Sequence, residues 1–174
     1  AKICSKFLKK IINKKFLLNR LANLRDCEAS KVFENSYRAT NIALIDEWTK
    51  FSIENSIDIK SILKAIRYRK THNNIMNPGL GVGGYCLTKD PSFLKFSSNK
   101  IFSNKLSFPM LNNTVLVNRK MVNTSINFIK KKISKLFNKK ILLVGISYKE
   151  DVDDLRYSPS VDLYKKLLKV SKFI

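Results

Sequence analysis

A cysteine follows a glycine-rich segment near the middle of the chain. Four of the five glycines lie within residues 79–84, and Cys86 comes two residues after the last of them. Because glycine has no Cβ, its backbone can adopt positive φ angles and can lie directly against a ligand. A cysteine presented at such a bend is a candidate nucleophile. Taken alone, the segment also fits a tight turn around a buried thiol, so the rest of the chain must decide.

Two polar residues outside this segment have a spacing that chemistry could use. Lys31 and Asn35 are four residues apart within a predicted helix, so they share one face. A lysine or an asparagine on a helix is usually a surface residue, so this spacing alone assigns no function.

The glycine segment formally matches the dinucleotide-binding pattern GxGxxG at Gly79, Gly81 and Gly84. That pattern requires a strand before the glycines and a helix directly after them. The polar stretch at residues 69–77 does not have the composition of a strand, so we reject a Rossmann interpretation of this loop. No strand-GxGxxG-helix unit occurs elsewhere in the sequence.

The chain is strongly basic, with a formal net charge of +21 and a pI near 10.0. Such a charge is consistent with nucleic-acid binding, which we keep as one alternative. However, the lysines are spread along the chain, and the densest cluster, at residues 130–140, lies on and after a predicted helix, where it is typical of a solvated face. Anionic small molecules such as nucleotides suit the same positive field. We therefore expect no nucleic-acid partner.

The three cysteines, Cys4, Cys27 and Cys86, cannot all pair within one chain. The N-terminal residues contain lysines and lack the continuous apolar segment of a signal peptide. No apolar run is long enough to cross a membrane. Reduced thiols in a cytoplasmic protein are therefore expected.

Hydrophobic periodicity predicts mostly helices. We expect a short helix within residues 7–18, with a strand around 16–18, then helices over 27–55, 58–68, 91–96 and 110–137. The helix at 27–55 has an apolar stripe of Phe33, Tyr37, Leu44, Trp48 and Phe51. The helix at 110–137 has a narrow seam suited to packing against another helix, in this chain or in a second subunit. The seam residues are Val115, Val122, Ile126, Ile129, Ile133 and Leu136.

The character of the sequence changes after residue 137. Residues 140–145 form an apolar run that predicts a buried strand, and Ser158-Pro159 is typical of the start of a helix. One strand and one helix cannot close a parallel sheet. The predicted fold is therefore mainly α, a helical domain with a long helix followed by a truncated Rossmann-like α/β stub, and both chain ends are expected to be cut.

Three sequence blocks, in this order, resemble the UDP-glucose/GDP-mannose dehydrogenase family of NAD-dependent nucleotide-sugar 6-dehydrogenases. The resemblance extends from about Asp26 to the end of the chain, and the combination of blocks makes it specific. The blocks are residues 31–43 (KVFENSYRATNIA), residues 77–91 (NPGLGVGGYCLTKDP), and residues 143–149 (LVGISYK) with 153–156 (DDLR) and Ser158-Pro159.

The resemblance implies a catalytic mechanism. The family oxidises the C6 alcohol of a sugar to a carboxylate in two hydride transfers to NAD, and the second passes through a thiohemiacetal and a thioester on a cysteine. By this resemblance Cys86 is the nucleophile, and a nearby cation would favour its thiolate. Lys31 and Asn35 would donate to the oxygen that gains negative charge. Asp90 would position or activate the water that hydrolyses the thioester.

The resemblance also implies binding residues. Positions expected to face the UDP-sugar are Asn77, Gly79, Gly81, Gly83, Tyr148 and Lys149, and those expected to face NAD are Cys86, Lys89 and Arg156. No metal site is implied. The family pattern includes an arginine that reaches a neighbouring subunit, and the sequence does not choose among Arg67, Arg69, Lys70 and His72. A homodimer through the helix at 110–137 is expected.

The resemblance does not decide the sugar. Lys89 fits the UDP-glucose branch of the family, whereas Pro91 and the Asn77-Pro78-Gly79 opening also fit the N-acetylhexosamine branch. A role in making polysaccharide precursors is all that the family implies.

The family's N-terminal Rossmann domain, which holds most of the NAD, is not expected in this sequence beyond a remnant of its end. We therefore predict a remnant of that domain at 1–26, the central helical domain at 27–137 and the beginning of a UDP-sugar-binding α/β domain at 138–174. Such a fragment is expected to be inactive alone. The main alternative is an inactive remnant or a helical dimerisation module without catalysis.

Overall fold

A computed structural model describes residues 2–13 and 19–171, and within them the chain is mainly helical, as predicted. The predicted strand around 16–18 lies outside the described residues. Short 3₁₀ helices occur at Lys70–His72 and Leu136–Asn138. The α-helices are α1 (Lys2–Ile11), α2 (Leu24–Glu54), α3 (Ile59–Ile66), α4 (Asp90–Lys100), α5 (Pro109–Lys132) and α6 (Pro159–Leu167).

The chain divides into two compact units, residues 1–31 and residues 32–174. In the first unit, α1 buries none of its residues. Asn23 caps the start of α2, since its Oδ1 accepts a hydrogen bond from the backbone N–H of Asp26 at 2.9 Å. An asparagine at this position satisfies a backbone donor that the helix itself leaves unpaired.

In the second unit, α2 buries a face of small and polar side chains, and the predicted apolar stripe is wrong. Phe33, Tyr37, Leu44 and Phe51 are exposed. The buried residues are Asn35, Ser36, Ala39, Ala43, Ile45, Asp46 and Ser52. Small side chains let α5 approach the α2 backbone closely: Asn118 Nδ2 donates to the carbonyl oxygen of Ala39 at 3.0 Å, and the hydroxyls of Thr40 and Thr114 are 3.1 Å apart.

The seam of α5 packs within its own chain. Val122 and Ile126 form a buried cluster with Leu163 and Leu167 of α6. The sequence left open whether the seam meets the same chain or another subunit, and for these two residues the partner is α6. The predicted helix at 110–137 is too long, because α5 ends at Lys132 and Ile133 is already extended, with φ −116° and ψ 107°.

The predicted strand at 140–145 does not form. Residues 141–146 have no regular secondary structure, and a strand needs a neighbouring strand to pair its backbone groups. The side chains of residues 141–144 nevertheless alternate between partly buried and exposed positions. Leu142 and Val144 are 86% and 84% exposed, whereas Ile141 and Leu143 pack against the cluster of α5 and α6.

The predicted start of α6 is confirmed. Ser158 Oγ accepts a hydrogen bond from the backbone N–H of Ser160 at 3.2 Å, and Pro159 occupies the first turn. Among the described residues, no helix combines the length and the apolar character that crossing a membrane requires.

Candidate active site

Cys86 lies in the turn that leads into α4. Its carbonyl oxygen accepts hydrogen bonds from the backbone N–H groups of Lys89 at 3.1 Å and Asp90 at 2.9 Å. The residue is exposed and the thiol is free, so the interpretation of this cysteine as a buried thiol in a tight turn is wrong. A position at the N-terminal end of a helix favours negative charge, which is the charge of a reactive thiolate.

Asp90 and Asn35 are brought together although 55 residues separate them. Asn35 Nδ2 donates to Asp90 Oδ2 at 2.6 Å, and Lys89 Nζ donates to Asp90 Oδ1 at 2.8 Å. Asn35 is 2% and Asp90 6% exposed. A buried carboxylate is stable as an ion only with such donors. Each carboxylate oxygen retains a second lone pair, so Asp90 can still accept a proton.

Lys31 lies on α2, one helical turn before Asn35, and is exposed. It belongs to the unit of residues 1–31, so its contribution to the site of residues 32–174 stays a prediction from the family resemblance.

The last two glycines of the loop are covered by a segment from near the end of the chain. The Gly84 N–H donates to the carbonyl oxygen of Arg156 at 3.0 Å. A Cβ on Gly84 would lie 2.7 Å from the Tyr148 ring, and a Cβ on Gly83 would lie 2.5 Å from Tyr148 Cβ. Around Gly79, in contrast, no atom lies within 4 Å of where a Cβ would be. At Gly83 and Gly84, the space that a Cβ would need is thus occupied by other side chains of the protein.

Arg67 stabilises the segment that precedes the glycine loop. Its guanidinium donates to the Ile75 carbonyl oxygen at 2.9 and 3.2 Å and to Asn77 Oδ1 at 2.6 Å. Among the four basic candidates for an intersubunit contact, Arg67 is therefore engaged within its own chain. Arg69, Lys70 and His72 are exposed.

Arg156 is held by Asp154 through two parallel hydrogen bonds. Nε lies 3.0 Å from Oδ1, and Nη2 lies 2.7 Å from Oδ2. These bonds lower the pKa of Asp154 below its ordinary value and raise that of Arg156. Tyr148 is half-buried, and Lys149 is exposed next to it.

We expect the Asp154–Arg156 pair to give a pH-dependent stabilisation. Because the folded-state pKa of Asp154 is depressed, the stabilisation is present above its unfolded pKa, near 3.8, and is lost as the pH falls through the folded value. Asp154→Asn should lower the Tm at pH 7 by about 1–2 °C, and the difference should vanish in acid. Thermal unfolding from pH 7 to 2 measures this, with Asp153→Asn as control; a constant difference at all pH values would contradict it.

A cavity of about 670 Å³ lies between the cysteine loop, α5 and the start of α6. Lys89, Arg119 and Lys165 bring positive charge to its wall, and Tyr85 and Tyr157 bring aromatic rings 6.5 Å apart. Asn118 also lines it, and its buried Oδ1 has no hydrogen-bond partner among the described residues. Asp162 adds a carboxylate to the same wall, so the cavity combines three cations, one anion and two aromatic rings. Sequence reasoning missed Asn118 and Arg119, although a polar pair beside an apolar helix seam was a usable signal.

The chain is similar to known nucleotide-sugar dehydrogenases. A UDP-N-acetyl-D-mannosamine dehydrogenase of Campylobacter jejuni is 34% identical over 147 residues, which are 84% of this chain and 34% of that protein. The solved UDP-D-ManNAc dehydrogenase of Pyrococcus horikoshii superposes with a TM-score of 0.73 at 28% identity, over 99% of this chain and 40% of that one.

A UDP-glucose dehydrogenase of Pyrobaculum islandicum has a TM-score of 0.77 over 98% of this chain and 39% of that one, and at 20% identity it supports the fold alone. The chain spans about a third of the length of the curated relatives it matches. The central-domain model of the UDP-glucose/GDP-mannose dehydrogenase family matches residues 25–120. With more than half of its length matched, and with Cys86, Asp90 and Asn35 gathered at the start of α4, the chain belongs to the UDP-glucose/GDP-mannose dehydrogenase family.

Proposed function

We propose that this chain is the central part of an NAD-dependent UDP-sugar 6-dehydrogenase and contributes its nucleophile, Cys86. The observation that carries the proposal is the exposed thiol of Cys86 in the turn that leads into α4, four residues before a carboxylate that the buried Asn35 holds. A nucleophile and a proton acceptor on adjacent turns form the arrangement that thioester formation and hydrolysis need.

The proposed chemistry uses the described side chains as follows. Cys86 Sγ adds to the C6 aldehyde, and the proton that the thiol gives up converts the carbonyl oxygen into the hydroxyl of a thiohemiacetal. Loss of a hydride from C6 and a proton from that hydroxyl leaves a thioester. Water, whose proton passes to Asp90, then displaces Sγ and releases the carboxylate. Asn35 Nδ2 gives one hydrogen to Asp90, and its second hydrogen can donate to the reacting oxygen.

NAD would supply the hydride acceptor for both oxidations. The described residues fit part of such a molecule, because the cavity wall combines cations with two aromatic rings and an unsatisfied amide oxygen. Lys89 would lie on that wall, and Arg156 would meet a phosphate with the edge of its guanidinium that Asp154 leaves uncovered. Most of the cofactor would be held by the family's NAD-binding domain.

For the substrate we propose a UDP-N-acetylhexosamine. The relatives support this choice, since several curated proteins about a third identical to this chain are UDP-N-acetyl-D-mannosamine dehydrogenases. Asn77, Gly79, Gly81, Gly83, Tyr148 and Lys149 remain the proposed contacts to the nucleotide sugar. The product would be a precursor of a polysaccharide, made in the cytoplasm. UDP-glucose is the substrate to test beside it.

A homodimer also remains a proposal, and α5 limits how the dimer could form. Because α6 covers Val122 and Ile126, the part of 110–137 available to a second subunit is its other face. The exposed apolar residues of α5 outside this contact are Met110, Leu116 and Phe128. Sedimentation velocity of the chain at several concentrations measures the association.

We predict that the 174-residue chain alone produces no NADH from UDP-N-acetylmannosamine and NAD, because hydride transfer requires the nicotinamide to be held against C6. A chimera in which residues 25–171 replace the matching segment of the Campylobacter jejuni relative should produce NADH and the acid. Absorbance at 340 nm and chromatography of the product measure both, and UDP-glucose is the comparison substrate. NADH from the chain alone would contradict the first expectation, and an inactive but folded chimera would contradict the proposed function.

A further inference from the structure

The ammonium group of Lys89 is enclosed on three sides. Its Nζ lies 2.8 Å from Asp90 Oδ1, 4.3 Å from the centroid of the Phe93 ring and 4.8 Å from that of the Tyr85 ring. We call Tyr85 and Phe93 the aromatic sleeve. An ammonium over an aromatic face is attracted by the ring quadrupole, most strongly where water is partly excluded. The Lys89 side chain is 33% exposed.

Spacing along the chain produces the sleeve. Tyr85 is four residues before Lys89, and Phe93 is four residues after it, so the three side chains meet on one face of the loop and the first turns of α4. Cys86 lies in the same turn, because the Lys89 N–H donates to the Cys86 carbonyl oxygen at 3.1 Å. The sleeve therefore holds a cation on the carboxylate proposed as base, in the turn that also contains the residue proposed as nucleophile.

We propose that Tyr85 and Phe93 are positioning residues that fix the Lys89 ammonium so that one cation serves both the Cys86 thiolate and the Asp90 carboxylate. The proposal rests on the function proposed for Cys86. Without the rings, a lysine side chain samples many rotamers in solvent, and its charge is screened from the thiolate. With them, the charge is held beside Asp90, in the turn that contains Cys86, where a nearby cation favours a thiolate.

The charged surroundings agree with this arrangement. The pKa of Lys89 is raised, chiefly by its hydrogen bond to Asp90, with smaller contributions from Cys86 and Tyr85. In the segment that covers the glycine loop, Arg156 is already paired with Asp154. Lys89, in contrast, is fixed by Asp90, Tyr85 and Phe93, which flank Cys86 in sequence.

The rate of alkylation of Cys86 tests the proposal in the chain as it exists. Iodoacetamide is added between pH 5 and 10, and modification of each cysteine is followed by peptide mass spectrometry, with Cys4 and Cys27 as exposed references in the same molecule. In the wild type, Cys86 should react faster than both references at pH 7. Equal rates for the three cysteines would overturn the proposal.

Phe93→Leu keeps an apolar side chain and removes the ring. It should slow the alkylation of Cys86 at pH 7 by about threefold and raise the midpoint of the pH profile by about half a pH unit. Phe96→Leu, which removes an exposed ring of the same helix, is the matched control and should change neither. Lys89→Met should slow Cys86 at least as much as Phe93→Leu, and the rates of Cys4 and Cys27 should not change.

A double mutant separates positioning from a merely structural effect. If Phe93 acts through Lys89, then Phe93→Leu should have no further effect on the Cys86 rate in the Lys89→Met background. An undiminished threefold effect there, or none in the wild-type background, would overturn the proposal. Tyr85→Leu and Tyr85→Phe give a second test in case Phe93→Leu unfolds the chain: only the leucine variant should slow Cys86.

The outcome does not depend on turnover. An inactive chimera with a sleeve-dependent Cys86 rate would reject the proposed function and retain the sleeve. An active chimera, together with a Cys86 rate that Phe93→Leu does not change, would retain the proposed function and reject the sleeve.

Discussion

Gly83→Ala should destabilise the chain by about 3 kcal/mol, near the upper end of the usual cost of overpacking. The new methyl group would lie 2.5 Å from Tyr148 Cβ, 2.8 Å from Pro159 Cδ and 3.0 Å from the Tyr157 carbonyl oxygen. Two of these atoms are close to the backbone and the third belongs to it, so none can move away as the tip of a flexible side chain could. Circular dichroism at 222 nm should show a Tm lower by about 6–12 °C.

Gly79→Ala is the matched control, four residues earlier in the same loop. No atom lies within 4 Å of its Cβ position, and its φ is not in the left-handed region. The substitution reduces the conformational freedom of the unfolded chain, so the Tm should be unchanged or slightly higher. Equal losses for the two variants would show that packing of residues 148–159 on the loop does not determine its stability.

Cys86→Ala in the Campylobacter jejuni chimera should reduce formation of the acid by about 10³-fold or more, since the thioester route loses its nucleophile. The Tm should change little, because Cys86 is exposed. Cys27→Ala, which removes another exposed thiol of the exchanged segment, should leave acid formation unchanged. Chromatography of the sugar products measures the effect, and acid formed at the normal rate would remove Cys86 from the mechanism.

The sequence was sufficient to predict that α2 is a helix, but not which of its faces is buried. Apolar periodicity favoured the side of Phe33 and Tyr37, which is exposed. The face with Asn35 and Ala39 is buried because Asp90 satisfies the amide and α5 comes close over the alanine. Both causes lie more than fifty residues away in sequence, so a local pattern does not contain them.

The predictions for residues after 132 were also wrong where the outcome depends on more than the local apolar pattern. The apolar run at residues 140–145 predicted a buried strand, but only Ile141 and Leu143 face the core, and a strand also requires a second strand that pairs with it. The helix at 110–137 was extended too far because its apolar spacing continues beyond Lys132. Lys135 adopts a left-handed conformation, with φ 53°. This conformation is uncommon for a lysine, so the sequence does not predict it.

For the site, motif resemblance found Cys86, Asp90 and Asn35, and the structure brings Asp90 and Asn35 into contact. Resemblance did not indicate that Asp154 holds Arg156 or that two rings enclose Lys89. The second arrangement was within reach, because Tyr85, Lys89 and Phe93 are spaced by four residues at the start of a predicted helix.

The hydrogen bond from Gly84 to Arg156 has a consequence for how the protein is made. During synthesis, the loop that carries Cys86 emerges about seventy residues before the segment that covers it, so its final shape depends on a contact that is distant in sequence. Until Tyr148 and Pro159 leave the ribosome, the side chains that pack against Gly83 and Gly84 are missing. The loop that carries Cys86 is therefore translated before the residues that complete its packing.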